Sequence, residues 1–386
     1  MPARFKTRHE LTGRVLRAMT CPSCNSCNAR PDPPVLAVVL DLDGTLLDTE
    51  VGGKGVLKEF LGKYGKVLEE GDQKRLGKTL KESAIAMVTD YDLPLTPDQY
   101  VEEIVPMYRQ GWAKARALPG AIRLIKHLQN CRVPLALASN SLREYIDAKI
   151  SHQQGWKECF SVIVGSDDVQ SGKPAPDIFI EAARRMEIDA TRCLVIEDSL
   201  VGVQAAKAAK MKVVAVPSHT EADCSSMADS VLHSLLEFQP ELWGLPPFDD
   251  WVNNALPIEA MVLSCQHVNG SFYEIEEEGM PALPAQAAGV YFGWAQVGIR
   301  TIFKAVVGII FDSPSALRKL HLCSIDGSID RVSDQHVQLS LVGFIRGFRS
   351  KDVVSMDKII DEQDKSIASS SLELPEFAHR SNPSFV

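Results

Sequence analysis

No stretch of this 386-residue sequence approaches the roughly eighteen uninterrupted apolar residues a membrane-spanning helix needs; the longest candidates are broken by Pro, Gly or charge. Positive charge is also scarce. Lys and Arg number 41 against 50 Asp and Glu, for a formal net charge of -9, and no basic stripe outside the N-terminus could track a phosphate backbone. Neither a membrane nor a nucleic acid is therefore expected as a partner. The sequence lacks an internal repeat and any low-complexity tract longer than Ser369-Ser370-Ser371, which excludes solenoids and arrays. It also lacks the apolar core of a secretory signal, so the nine cysteines are expected as thiols in a reducing compartment.

The N-terminal excess of Arg4, Lys6, Arg8, Arg14, Arg17 and Arg30 over one acid, Glu10, has two readings. It fits a disordered basic tail on a cytoplasmic protein, or equally a plastid or mitochondrial leader. Cys21, Cys24 and Cys27 have metal-like spacing, but three thiols without a partner pair argue against a zinc site. The rest has the composition of an ordinary globular protein, 45% hydrophobic and 24% charged. Its length calls for two main domains. We expect a tail over 1–33, an α/β domain over 34–219 with a helical insertion at about 53–117, a Pro-rich connection over 220–255, and a β-rich domain over 256–386. Nothing in the sequence sets an oligomeric state.

Val35 to Leu40 is an unbroken apolar run leading into Asp41, the pattern of a strand buried on both faces of a parallel sheet. From about Gly53 to Leu118 the text reads as amphipathic helices. Strand-helix alternation then resumes with strands at Pro134–Ala138, Ser161–Gly165, Cys193–Ile196 and Val213–Val216, which predicts a doubly wound α/β core. Beyond about 255, strand-like segments at Gly289–Ala295, Thr301–Ile310 and Val337–Ile345, then a helix near Val354–Ser366, predict a small β-rich domain closed by a helix.

Ligands in such sheets bind at the carboxyl ends of the strands, and four strand ends here carry suitable groups. The first gives Asp41 and Asp43, close enough for one to attack while the other shuttles protons. The second gives Ser139-Asn140-Ser141, a hydroxyl and loop amides able to hold phosphate oxygens. The third gives Lys173, a cation for phosphate and nucleophile alike. The fourth gives Glu197 and Asp198, hard oxygen ligands of the kind Mg²⁺ accepts. Alone, each is more often a turn, a helix cap or a surface charge; together they point to phosphoryl chemistry. His152 and His219 lie outside the set and read as structural or exposed.

Asp41-Leu42-Asp43-Gly44-Thr45, Ser139, Lys173 within Gly172-Lys173-Pro174-Ala175-Pro176-Asp177, and Glu197-Asp198-Ser199 followed by Gly202 resemble the four motifs of the haloacid dehalogenase superfamily of phosphatases. The likeness spans about residues 35–217 and is to members with a helical cap after the first motif. It implies a Rossmann-like core and an aspartyl-phosphate on Asp41. Asp43 would be the general acid and base, with Ser139 and Lys173 on the phosphate. Mg²⁺ would be held by Asp41, Asp198, the Asp43 carbonyl, and Glu197 directly or through water. Thr45, Asn140 and Ser141 are further expected substrate contacts, with Thr49, Glu50, Gly77 and Lys78 as the cap's contribution.

Gly289 to Trp294 with Lys304, Val342-Gly343-Phe344-Ile345-Arg346, and the Ser-rich helix before Leu372-Glu373-Leu374-Pro375 resemble the riboflavin kinase fold. A phosphatase fused to that fold is the plant flavin mononucleotide hydrolase arrangement, which implies flavin mononucleotide (FMN) as substrate. Where kinases carry Gly-Ile-Pro-Thr-Ala-Asn, this sequence has Gly279-Met280-Pro281-Ala282-Leu283-Pro284, and no Glu occurs between Phe311 and Ile345. Kinase activity is therefore expected to be absent. The alternatives are a phosphatase for sugar phosphates or other small esters, a hexose-phosphate mutase, and a flavin-binding or regulatory module.

Overall fold

A computed structural model describes residues 34–69, 79–112, 115–217, 224–269, 272–275, 283–297, 301–312, 317–325, 336–348 and 359–378. The basic tail, Cys21, Cys24, Cys27, Gly77, Lys78, His219 and residues 279–282 fall outside them, as does the side chain of Glu50.

The α/β half is one parallel sheet, ordered β3-β2-β1-β4-β5-β6, with β1 (Ala37–Leu40) at its centre between β2 (Leu135–Ala138) and β4 (Cys193–Glu197). Because β1 is covered on both faces it can be apolar throughout: Val38 and Leu40 enter one core cluster, Ala37 and Val39 the other. α4 (Ala121–Asn130) and α5 (Arg143–Ile150) cover the first face; α6 (Asp177–Arg185) and α7 (Leu200–Ala208) cover the second. β3 (Val162–Val164) and β5 (Lys212–Ala215) flank the inner strands. The ends of β1, β2 and β4 open on the same side, where the chain reverses its winding direction about β1.

Three helices, α1 (Thr49–Lys63), α2 (Leu80–Asp90) and α3 (Pro97–Trp112), stand between β1 and β2 around their own core of Phe60, Met87, Tyr100 and Ile104. α2 starts at a reciprocal cap in which the Thr79 hydroxyl accepts from the Glu82 amide and Glu82 accepts from the Thr79 amide.

The connection read into 220–255 is a correction. β6 (Ser230–Val231) extends the sheet beside β5, and Leu235, Phe238 and Leu245 are buried in the core under α4. The segment has a linker's Pro content, but its leucines and aromatics cover an apolar face that would otherwise meet water. Arg123 of α4 fixes its far end through Nε and Nη2 to the two Asp250 oxygens, each at 2.6 Å, with its guanidinium over the Phe248 ring.

The C-terminal half is a closed antiparallel barrel, ordered β10-β11-β8-β7-β12-β9. Its strands are β7 (Leu256–Asn269), β8 (Phe272–Ile275), β9 (Gly289–Val297), β10 (Thr301–Asp312), β11 (Leu317–Ser324) and β12 (His336–Arg346). Side chains alternate as the pleat requires: Tyr291, Ala295, Val307 and Leu339 fill the interior, while Val290, Phe292 and Val342 meet the terminal helices outside. Those helices are α8 (Glu362–Ser371) and α9 (Pro375–Ala378). α8 begins later than the sequence pattern suggests, because Asp361 caps it reciprocally with Asp364. Among the described residues no helix is long and apolar enough to cross a membrane.

Candidate active site

The loop after β1 turns back on itself at once: the Leu46 and Leu47 amides donate to the Leu42 carbonyl, and Gly44 sits at φ +82°. Its left-handed backbone suits Gly, and so does its surroundings, since a Cβ there would lie 2.1 Å from Asp198 Oδ2. Asp41, buried at the strand end, accepts from Lys173 Nζ at 2.5 Å, and the same ammonium donates to Glu197 Oε1 at 2.6 Å. Glu197 Oε2 accepts from the Ser199 amide and hydroxyl at 2.7 and 3.0 Å. Ligand oxygens of Asp41, Glu197 and Asp198 all lie within 4.8 Å of one another.

Burial pushes the Asp41 carboxyl up to about 7, against the pull of Lys173 and with the nearby charges of Glu197 and Asp43 adding to it. Burial lowers the proton affinity of Lys173, but Asp41 and Glu197 more than offset it, so the ammonium is held above its ordinary range. Once Asp41 is ionised, Asp41, Glu197 and Asp198 set three carboxylates against one buried lysine, an excess of two negative charges. A divalent cation on hard oxygen donors offsets that excess, so these residues fit one.

Asp43 has a separate environment. Lys149 Nζ, from α5, donates to both its oxygens at 2.7 and 2.8 Å; Ser141 Oγ and Ser139 Oγ donate at 3.0 and 3.3 Å; the Thr49 hydroxyl adds another bond. Burial alone would raise this carboxyl, yet Lys149 and the hydroxyls outweigh it and hold it below the usual carboxylate range. Lys149 was absent from the residues singled out by sequence. It is buried, it also donates to Ser141 Oγ at 2.9 Å, and its ammonium stands 5.1 Å from the Trp112 ring centre of α3. A lysine on a charged helix carries no motif; only the packing of α5 against the loop reveals it.

Asp41, Asp43, Ser139, Ser141, Lys173, Glu197 and Asp198 thus meet at one site. Two other positions hold the site's scaffold. The Asn140 side chain, expected on substrate, instead clasps the Lys173 backbone, accepting from its amide at 2.8 Å and donating to its carbonyl at 3.2 Å. Thr45 donates to Asp198 Oδ1 at 3.2 Å and so orients that carboxylate. From the cap, the Thr79 methyl lies 3.0 Å from where a Cβ on Gly172 would stand, which brings the start of α2 beside the Lys173 loop. His152 lines the cleft between cap, core and barrel and is not among these groups.

Gly202 leaves room for Glu197: a Cβ there would fall 1.8 Å from Glu197 Oε1. Gly202→Ala is expected to destabilise the protein by about 1–3 kcal/mol, despite the better helix propensity of Ala, because Glu197 must leave Lys173 or the helix must shift. Urea unfolding checks this; unchanged stability would show that Glu197 moves freely.

A family model for haloacid dehalogenase-like hydrolases matches residues 38–216. The bifunctional riboflavin kinase/FMN phosphatase of Arabidopsis thaliana is 40% identical over 358 residues, covering 88% of this chain and 94% of its own length. The chain belongs to the haloacid dehalogenase-like hydrolases. Two other relatives match over 222 residues, 55% of this chain. They are the mitochondrial (DL)-glycerol-3-phosphatase 1 of Arabidopsis thaliana, at 36% identity and 74% of its length, and a probable pseudouridine-5'-phosphatase of Drosophila melanogaster, at 38% and 95%. Within this family the chain is a phosphatase acting on phosphate esters, and its Rossmann-like core, helical cap and β-barrel agree with the fold class expected from sequence.

Proposed function

We propose that this protein hydrolyses FMN to riboflavin and phosphate through a phosphoenzyme on Asp41. The similarity to a riboflavin kinase/FMN phosphatase along 94% of that protein, barrel included, carries the choice of substrate. The buried Asp41, with Lys173 at 2.5 Å, carries the chemistry.

Asp41 Oδ attacks phosphorus and the bond from phosphorus to the ribityl oxygen breaks, with Asp43 giving that oxygen its proton. Lys149 and the Thr49 and Ser141 hydroxyls hold Asp43 ionised beforehand, but an arriving phosphate dianion raises its affinity for the proton by like-charge repulsion, and Asp43 takes that proton from solvent before the first step. Water then attacks phosphorus, its proton passes to Asp43, the bond to Asp41 breaks and phosphate leaves. Lys173 and the Ser139 hydroxyl stabilise charge on the phosphate oxygens throughout. Asp41, Glu197 and Asp198 would hold Mg²⁺, which supplies neutralisation of the phosphate charge when bound.

The test is a phosphate-release panel over FMN, glycerol 3-phosphate, pseudouridine 5'-phosphate and glucose 1-phosphate, with Mg²⁺ and with EDTA. FMN is expected to give the highest kcat/KM, and EDTA to abolish turnover. A preference for another ester would overturn the substrate, and isomerised glucose phosphate would favour a mutase. We also propose that the barrel makes no FMN from riboflavin and ATP; appearance of FMN in that assay would reverse this.

A further inference from the structure

We infer that the rim of the C-terminal barrel is a wall of the phosphatase's leaving-group site, selecting esters with a large, flat apolar group. A cleft of about 1790 Å³ runs between cap, core and barrel. Its cap wall carries Tyr108 and Trp112, whose rings are stacked at 6.4 Å and 2°. The same cleft is lined from the barrel by Pro257 and Ala260 of β7, with Pro284 ahead of β9. Aromatic and proline surfaces brought into one cleft suit a planar ring system.

The cleft reaches the chemistry at Thr49, which lines it and also hydrogen-bonds Asp43, the group placed beside the leaving oxygen. Trp112 links the same wall to Lys149. The depth also matters: small-molecule sites are typically about 300–1,000 Å³, so a three-carbon ester would leave most of this cleft empty.

The barrel rim is fixed relative to the catalytic loop. Gln286, buried just before β9, donates from Nε2 to the Gly44 carbonyl at 3.2 Å, tying the barrel to the residue beside Asp43. Leu236, from the segment covering the core, is buried among the barrel's interior side chains, and Arg123 holds Asp250 close to the start of β7. A barrel on a free linker would leave a gap of no fixed width; these contacts set one.

This inference rests on the phosphatase reading above, and the experiment separates the two. Ala260 is exposed in the cleft, so Ala260→Trp in the full-length protein narrows it without touching a core. KM is measured for FMN, for 1-naphthyl phosphate as a second flat ester, and for acetyl phosphate as a small one, with Val262→Trp, at an exposed position of β7 outside the cleft, as control. The Ala260→Trp variant is expected to raise KM for both flat esters at least tenfold and to leave acetyl phosphate within twofold; the Val262→Trp variant is expected to change none. If all three esters shift together, or none shifts, the barrel is not a wall of the site. If wild type turns over naphthyl and acetyl phosphates but not FMN, the substrate proposal fails while the two remaining esters still decide the wall.

Discussion

Asp41→Asn is expected to lower phosphate release by about 10⁴-fold or more, the scale on which an enzyme loses its nucleophile. The amide keeps the shape of the carboxylate and can accept from Lys173, so the loss would be chemical. Stability supplies a second signature. The Asp41 carboxyl is raised from 3.8 to about 7 in the fold, chiefly by burial. The unfolded chain then gives up this proton first and binds fewer protons than the native state between those values. Stability of the metal-free protein therefore falls as pH rises from about 4 to 7, by at most ~4 kcal/mol, and stays lowered above that. Thermal unfolding in EDTA at pH 5 and pH 8 should show this decline in wild type and a smaller one in Asp41→Asn, and Mg²⁺ should recover the loss at pH 8. Equal declines in both proteins would place the titration elsewhere, and an active Asn variant would end the phosphoenzyme proposal.

The visible part of this site in the sequence is the part built on strand ends. Ala37 to Leu40 can be apolar at every position because β1 is covered on both faces, and such a run has to end in polar residues where the strand leaves the core. Asp41 and Glu197 sit at such boundaries and Lys173 in the loop after β3, each within a short motif, so local spacing carries them. Lys149 and Gln286 have no such marker. Lys149 reaches Asp43 across 106 positions, and Gln286 reaches Gly44 across 242, so only the packed fold brings either pair together. The segment around Phe238 misled for a related reason: proline frequency reports local stiffness, whereas burial depends on which distant face is left uncovered. Asn140 was legible as part of the phosphate loop, but the side-chain clasp it makes on the Lys173 backbone, 33 positions away, was not.

Lys149→Met should separate the two steps of the reaction. The ammonium donates to both oxygens of Asp43, whose side chain keeps 30% of its surface exposed, and removing it leaves the Ser139, Ser141 and Thr49 hydroxyls as neutral partners. The Asp43 carboxyl then rises towards its ordinary value or beyond, because burial is no longer opposed by a positive charge. A more readily protonated Asp43 still serves the first step, where it gives a proton to the leaving oxygen. It serves the second less well, where it takes one from water. General-base assistance is typically worth 10²–10⁴-fold, so kcat should fall about 10²-fold or more, and the phosphoenzyme on Asp41 should accumulate. Rapid mixing would then show a burst of leaving alcohol close to one equivalent before a slow steady state, and Lys149→Arg should recover part of the rate. A slow variant with no burst would mean that the first step is impaired, so that Lys149 serves the leaving group. A variant as fast as wild type would reduce Lys149 to a support for the Trp112 face of the cap.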